Sequence, residues 1–99
     1  LTIDPGVHQA FLNNRKLDLT SYEFALLYAL AENSGRVLDR ERLMDLAKGT
    51  AEEAFDRSID VHISRLRKKM GDDSRTPRII KTIRGVGYLL VCEQLNDAC

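Results

Sequence analysis

The spacing of apolar residues changes near residue 20, and the residues before that point have the pattern of short strands. Two apolar groups, Leu1–Ile3 and Ala10–Leu12, are separated by turn-forming residues at Asp4–Gly6 and followed by more at Asn13-Asn14. Leu17–Leu19 then alternates apolar and polar residues, as a half-buried strand does. We therefore expect a small antiparallel sheet at the beginning of the chain.

The following segment has helical spacing. A capping box, Thr20–Glu23, opens the run SYEFALLYALAEN, which is apolar around most of its circumference and therefore predicts a central buried helix. Asn33–Gly35 ends this helix, and Val37-Leu38 predicts a brief extended piece. Asp39 is a good N-cap for a second helix, which Lys48-Gly49 closes with a cation and a permissive residue.

A third helix is predicted over residues 55–70, FDRSIDVHISRLRKKM, and it is amphipathic. At about 100° per residue, five apolar side chains fall within an arc of about 80° and form a core-facing stripe: Phe55, Ile59, Ile63, Leu66 and Met70. Asp60 and Arg67 border one side of the stripe, and His62 and Lys69 border the other.

Two strands are predicted after the third helix. Ile79–Ile83 and Tyr88–Val91 read as the arms of a hairpin, with a tight turn at Arg84–Gly87. Residues 92–99 show no periodicity and predict a frayed tail.

Length and composition narrow the class of protein. A chain of 99 residues, 43% apolar and 30% charged, suits one domain with its own hydrophobic core. No apolar run approaches the roughly 18 residues of a membrane span, and no signal-peptide pattern is present. Cys92 and Cys99 form no CxxC pair, which favours a reducing cytoplasm over a secreted, disulfide-framed domain. We therefore expect a cytoplasmic domain over residues 1–91, with no metal and no cofactor.

The net charge is zero, but the positive charges are concentrated in one third of the chain. Residues 57–88 hold nine Lys and Arg against three Asp and Glu, whereas residues 1–56 hold six against ten. A surface that contacts phosphates gathers bases in this way. A lysine-rich helix alone would produce the same distribution, so the charges favour nucleic acid without identifying it.

The side of the third helix that faces away from the apolar stripe is basic, with one apolar exception. It presents Arg57, Ser58, Val61, Ser64, Arg65 and Lys68. Val61 and Arg65 are four residues apart and project together, and Ser58 extends the same row. In a major groove a valine packs on thymine methyl groups and an arginine bonds guanine O6 and N7. Ser58, Val61 and Arg65 are the predicted base contacts, and the alternative is that Val61 is an exposed valine without a role.

Flanking side chains of the same helix are candidates for phosphate contacts: Arg57, His62, Arg67 and Lys68. Three of the four have a structural alternative. Arg57 could pair with Asp60, and Lys68 could complement the helix dipole. A histidine such as His62 is most often solvated or hydrogen-bonded within the protein.

The hairpin tip carries a second set of candidates. Arg84, beside the turn Gly85–Gly87, is placed to enter a narrow minor groove. The turn is not a dinucleotide-binding fingerprint, because the third glycine is missing and a strand follows. Thr82 and Tyr88 bracket the tip, and hairpin packing is the alternative role for both. For Tyr88, packing and phosphate contact remain equally open.

Two segments carry a resemblance to a known family. RSIDVHISRLRKKM followed by KTIRGVGYLLV resembles the effector domain of OmpR/PhoB-type response regulators. LTSYEFALLYALAENSGRVLDRERLMDLAKG is similar to that family's earlier helices, with LMDLAKG most similar to the OmpR branch. The resemblance runs from about Leu1 to Val91. It implies an α+β winged helix-turn-helix, with an N-terminal four-stranded antiparallel sheet (1–19), a three-helix core (20–70) and a C-terminal β-hairpin wing (79–91).

The resemblance also implies a function, sequence-specific binding of double-stranded DNA to control transcription. Val61 and Arg65 match the family's base contacts, and Ser58 a position that can contact bases. The positions that match phosphate contacts are Arg57, His62, Arg67, Thr82 and Tyr88, while Arg84 matches the minor-groove residue of the wing. Further implied features are tandem direct repeats as targets, a second protomer bound head to tail, a receiver domain absent from this chain, and an RNA polymerase contact through loop 49–54.

Two other function classes compete with this interpretation. An enzyme is disfavoured, because the sequence has no nucleophile–base pair, no phosphate-binding loop and no His, Cys or carboxylate cluster with ligand spacing. A winged-helix module that binds proteins rather than specific DNA is the stronger alternative, since a fold does not determine a function.

Overall fold

The computed structural model describes residues 2–12, 14–47, 59–72 and 79–91, which have the expected α+β content. The described elements, in chain order, are β1 (Thr2–Asp4), β2 (Gln9–Leu12), β3 (Arg15–Lys16), α1 (Ser21–Glu32), β4 (Leu38–Asp39), α2 (Arg40–Leu46), α3 (Ile59–Met70), β5 (Ile80–Ile83) and β6 (Gly87–Leu90). The beginning of the predicted third helix (55–58), loop 49–54 and tail 92–99 lie outside the described residues.

The first sheet contains β1, β2 and β3, with β2 in the centre and antiparallel to both neighbours. The prediction of a strand at Leu17–Leu19 is wrong, because β3 ends at Lys16. Only Leu17 continues the pairing, through its N–H bond to Ala10 O at 2.8 Å. The chain then leaves the sheet, since Thr20 already caps α1. Three strands are present in this sheet among the described residues, one fewer than the resemblance implied.

Helix α1 begins with the predicted capping box. Glu23 N donates to Thr20 Oγ1 at 3.1 Å, and Thr20 N donates to Glu23 Oε1 at 3.0 Å, so two backbone donors of the helix start are satisfied. The helix is the centre of the core, as its apolar circumference predicted, and Leu26, Leu27 and Leu30 are completely buried. Each such side chain contributes about 1.5–3 kcal/mol by leaving water.

Helices α2 and α3 pack on α1 through smaller apolar faces. In α2 the predicted N-cap is confirmed, since Asp39 Oδ1 accepts from Arg42 N at 2.7 Å, and Leu43 is the buried residue of the helix. In α3 the apolar stripe is confirmed for its described members, all at most 4% exposed: Ile59, Ile63, Leu66 and Met70. The stripe fixes which side of α3 faces the core and therefore which side faces solvent.

The second sheet contains the hairpin that follows α3, and its strand order is β4-β6-β5. The predicted hairpin is confirmed with a shift of one residue in the start of β5 and in both ends of β6. Strand β4, predicted only as a brief extended piece, is the second neighbour of β6 through the pairs Leu38↔Tyr88 and Asp39↔Gly87. The hairpin is thus attached to the segment just before α2 as well as to the end of α3.

Candidate nucleic-acid interface

The solvent side of α3 is a straight row of four exposed residues. Val61, Ser64, Arg65 and Lys68 follow the spacing i, i+3, i+4, i+7 and all lie on the surface. They span about 10 Å along the helix axis at roughly 1.5 Å per residue. Val61, the apolar member of the row, is 38% exposed. We call these four residues the reading row.

The start of α3 is held by an acidic side chain on the border of its apolar stripe. Asp60 Oδ1 accepts a hydrogen bond from Arg40 Nε at 2.9 Å and one from the Tyr88 hydroxyl. The sequence suggested Arg57 as the partner of Asp60, because only local spacing was available. Arg57, like Ser58, lies outside the described residues.

The end of α3 is held by three features. Gly71 ends the helix with a left-handed backbone, φ +74°, which glycine adopts without steric cost. Asp72 Oδ2 then accepts from the backbone N–H groups of Ile79 and Ile80, at 3.2 and 3.0 Å, and so joins the helix end to the hairpin. Lys69 Nζ donates to the buried Glu23 Oε1 at 2.7 Å, which ties α3 to the capping box of α1.

The hairpin tip presents the predicted arginine. Val86 N donates to Ile83 O at 2.9 Å, and Gly85 occupies the third turn position with φ +75°. Such a turn requires a residue that tolerates positive φ, and glycine does. Arg84 and Val86 are therefore exposed on either side of the turn, Val86 with 51% of its surface open. We call the hairpin β5–β6 the wing and Arg84–Val86 its tip.

Two of the side chains expected to contact phosphates lie in the interior. His62 is 4% exposed, with its ring 4.6 Å from the ring of Tyr22 in an edge-to-face arrangement. Arg67 is 7% exposed and donates through Nε and Nη2 to Ile80 O at 3.1 and 2.7 Å. The two positions border opposite sides of the apolar stripe, and α1 packs over His62 while the wing packs over Arg67. The two side chains are therefore buried rather than exposed beside the reading row, and phosphate contact by either of them stays a prediction.

Tyr88, for which packing and phosphate contact were equally open, packs in the interior at 4% exposure. Burial raises the pKa of Tyr88, and its hydrogen bond to the Asp60 carboxylate raises it further. In return, the Tyr88 hydroxyl and then Arg40 lower the pKa of Asp60. Around neutral pH the pair is therefore a neutral phenol that donates to an ionised carboxylate.

The remaining candidates are on the surface. Arg65 and Lys68 lie on the reading row, Arg84 lies at the tip, and Thr82 is exposed on β5. Thr82 Oγ1 accepts from Arg67 Nη2 at 2.7 Å, so the hydroxyl keeps its hydrogen for an outward donation. Sequence reasoning missed Arg40, because nothing in the local pattern shows that a residue twenty positions before Asp60 meets it.

Two features of the described part of the chain concern membranes and metal ions. None of its helices is long and apolar enough to cross a membrane. It also holds no group of three or more His, Cys, Asp or Glu residues positioned to bind a metal ion.

Comparison with known proteins supports the family that the residues suggested. The family described as "Transcriptional regulatory protein, C terminal" matches residues 14–90. The transcriptional regulatory protein RstA of Escherichia coli K12 is 44% identical over 89 residues, which cover 90% of this chain and 37% of RstA. CpxR of the same strain is 44% identical over 91 residues, which cover 92% of this chain and 39% of CpxR. The chain thus spans less than two-fifths of the length of these regulators.

The fold also matches a solved structure. The RstA DNA-binding domain of Klebsiella pneumoniae, crystallised in complex with RstA box, superposes with a TM-score of 0.78 at 40% identity, over 90% of this chain and 88% of that one. Sequence and fold agree, and the chain belongs to the family of transcriptional regulatory protein C-terminal domains, the winged-helix effector domains of OmpR/PhoB-type regulators.

Proposed function

We propose that this chain binds double-stranded DNA sequence-specifically and controls transcription, with α3 in the major groove and the wing tip in the minor groove. The reading row carries the proposal. A valine and two cations lie exposed along one side of a helix whose other side is locked into the core. A helix of about 10–12 Å diameter fits a major groove about 12 Å wide. The solved complex of the RstA domain with its box gives independent support.

The residues divide into base and backbone contacts. Val61 and Arg65 are the proposed base contacts, with Ser58 as a further one outside the described residues. Lys68 and the outward hydroxyl of Thr82 are proposed to bind phosphates and so to set the orientation on the duplex. Arg84 is proposed to enter the minor groove, where A·T-rich segments are narrow and attract arginine. Phosphate contact by His62, Arg67 or Tyr88 stays a prediction that their burial does not favour.

The test begins with selection of bound sites from random duplexes, followed by fluorescence anisotropy on the selected site and a scrambled one. Arg65→Ala is expected to lose about 1–3 kcal/mol of discrimination, because a bidentate guanine contact is worth that much. Lys68→Ala is the matched control, since it removes one cation from the same row. It should weaken both duplexes alike and reduce the salt slope by about one. Equal losses on both duplexes for Arg65→Ala would contradict base reading.

The wing has its own test. Arg84→Ala is expected to weaken binding most on sites with A·T-rich flanks, because the tip reads groove width. The same variant measured on G·C-rich flanks is the comparison. Affinity that is unchanged on A·T-rich flanks would refute a minor-groove role for Arg84.

Salt dependence separates DNA binding from the protein-interaction alternative. If several cations displace counterions from phosphates, log K falls linearly with log salt, by about 0.9 for each phosphate neutralised. An interface made through apolar side chains would show no such slope. A flat salt response together with no selected site would overturn the proposal.

The larger assembly is also proposed, from the resemblance. We propose that the domain acts as part of a longer response regulator with a receiver domain, on tandem direct repeats that bind two protomers head to tail. Loop 49–54 is the proposed contact to RNA polymerase and lies outside the described residues. Titration of duplexes with one or two copies of the selected site tests the stoichiometry, because a second copy should bind a second protomer with higher affinity.

A further inference from the structure

One cross-strand residue pair of the wing, which we call the rung, is hydrogen-bonded to α3 from both strands of the wing. Thr82 on β5 and Tyr88 on β6 are directly opposite in the hairpin register. Arg67 Nη2 donates to Thr82 Oγ1 at 2.7 Å, and the Tyr88 hydroxyl donates to Asp60 Oδ1. Because Asp60 and Arg67 lie at the two ends of α3, the rung is fixed to the helix at two separate points.

Arg67 makes the firmer of the two connections. Its Nε and Nη2 both donate to Ile80 O, and Nη2 also bonds Thr82, so one guanidinium bonds two residues of β5. Its guanidinium carbon lies 5.6 Å from the ring centroid of Tyr88, within cation–π distance. A planar guanidinium holds such partners in a fixed geometry, which a lysine would not do.

Arg40 brings the start of α2 to the same place. It shares Asp60 Oδ1 with Tyr88, and its guanidinium carbon also lies 5.6 Å from the Tyr88 ring. The Arg40–Asp60 ion pair is about half exposed on both sides, so by itself it contributes little. The bond from Tyr88 is more shielded, because the tyrosine is buried. Tyr88 is thus the point where α2, α3 and the wing meet.

We propose that these five residues, Arg40, Asp60, Arg67, Thr82 and Tyr88, form a wing clamp that positions the tip relative to the reading row. The clamp would make base reading by α3 and groove entry by Arg84 energetically dependent on each other. Outside the hairpin itself, the sheet pairs the wing, among the described residues, only with the two residues of β4, Leu38 and Asp39, so further ties help the wing to keep a fixed direction. Arg84 is two residues beyond Thr82, about 7 Å at roughly 3.3 Å per residue, so small rotations of the rung displace the tip. This inference rests on the proposed DNA binding.

The first test needs no DNA. Tyr88→Phe removes the bond to Asp60 and keeps the ring, and amide hydrogen exchange of Lys81–Val86 should rise about tenfold because a hydrogen bond to a carboxylate is lost. Tyr28→Phe is the matched control, since the nearby Glu32 raises the pKa of the Tyr28 hydroxyl in a similar way, and both residues lie on α1, away from the wing. It should leave exchange in the wing unchanged. Equal exchange in both variants would overturn the clamp, whether or not the chain binds DNA.

The second test is a double-variant cycle on the selected DNA site. With the clamp intact, the losses of affinity caused by Arg65→Ala and by Arg84→Ala should depend on each other. The double variant should lose about fivefold less affinity than the product of the single losses. In the Tyr88→Phe background this factor should fall from about five to about one, whereas in the Tyr28→Phe background it should stay at about five. Unchanged dependence in folded Tyr88→Phe would overturn the inference, while absence of specific binding by the unmodified chain would overturn the proposed function instead.

Thr82 supplies an independent variant in case Tyr88→Phe unfolds. Thr82→Val keeps the shape and removes the acceptor of Arg67, and Thr82→Ser restores that acceptor. The dependence between Arg65 and Arg84 should be lost in the first and rescued in the second. Loss of a phosphate contact alone would weaken all duplexes and leave the dependence intact, so that outcome would also reject the clamp.

Discussion

Two positions of the wing require glycine for different physical reasons, and substitution of each glycine by alanine distinguishes these reasons. A Cβ added to Gly87 would lie 2.0 Å from Leu38 O and 2.7 Å from Asp39 Cα, both backbone atoms of β4. Cβ atoms essentially never come closer than 3.0 Å to another atom, so β4 and β6 would have to separate. Gly85 has open space around its Cβ position but a positive φ of +75°. The first substitution meets a steric clash, the second an unfavourable backbone.

The cost of Gly87→Ala can be worked from these contacts. Forced overpacking costs about 1–3 kcal/mol, and each backbone hydrogen bond lost between β4 and β6 adds about 0.5–1.5 kcal/mol. We expect the free energy of unfolding to fall by about 2–4 kcal/mol, and Tm by about 10–30 °C for a domain of this size. Gly85→Ala should cost about 1–2 kcal/mol, the penalty of a left-handed backbone for an L-residue.

Urea unfolding of the 99-residue chain, followed by circular dichroism, measures both costs. The slope m should stay the same in both variants, so that the shift in midpoint reports stability. Val86→Ala, at the exposed tip, is the surface control and should change the free energy of unfolding by less than about 0.5 kcal/mol. A loss for Gly87→Ala no larger than that for Gly85→Ala would refute the close approach of β4 and β6.

The Asp60–Tyr88 pair predicts how stability depends on pH. Because the pKa of Asp60 is lowered in the folded chain, its contribution is complete above the ordinary carboxyl value near 4 and is lost as pH falls through the lower folded value. Because the pKa of Tyr88 is raised, its contribution is complete below about 10 and is lost as pH rises through the higher folded value. Urea midpoints against pH should therefore fall less steeply in acid for Asp60→Asn and less steeply in alkali for Tyr88→Phe; profiles parallel to that of the unmodified chain would contradict the pairing. Asp72→Ala should lower the free energy of unfolding by about 2 kcal/mol, because the backbone donors at the start of β5 lose a charged acceptor, and Asp72→Asn by about half as much. Equal stability of the alanine variant and the unmodified chain would show that Asp72 does not join α3 to the wing.

The local sequence was sufficient for features that depend on neighbours along the chain. The capping box at Thr20 and the N-cap at Asp39 are made by residues within one helical turn, so their spacing alone predicts them. The buried stripe of α3 follows from helical geometry, and the exposed position of Arg65 follows from the stripe. The strand error at Leu17–Leu19 shows the limit of this reasoning, because alternation of polarity does not reveal where a pairing partner ends.

The sequence by itself therefore determined the order of the helices, the hairpin and the reading row, since all of these depend on periodicity and turn chemistry. Only the tertiary structure decided the roles of the polar residues at the border of α3. Arg67 carries the same guanidinium group as the exposed Arg65, and His62 is also a polar residue of α3, but the wing covers Arg67 and α1 covers His62. The partners of Asp60 come from positions twenty residues before it and twenty-eight after it. Contacts between such distant residues arise from packing of whole elements, and no local spacing encodes them.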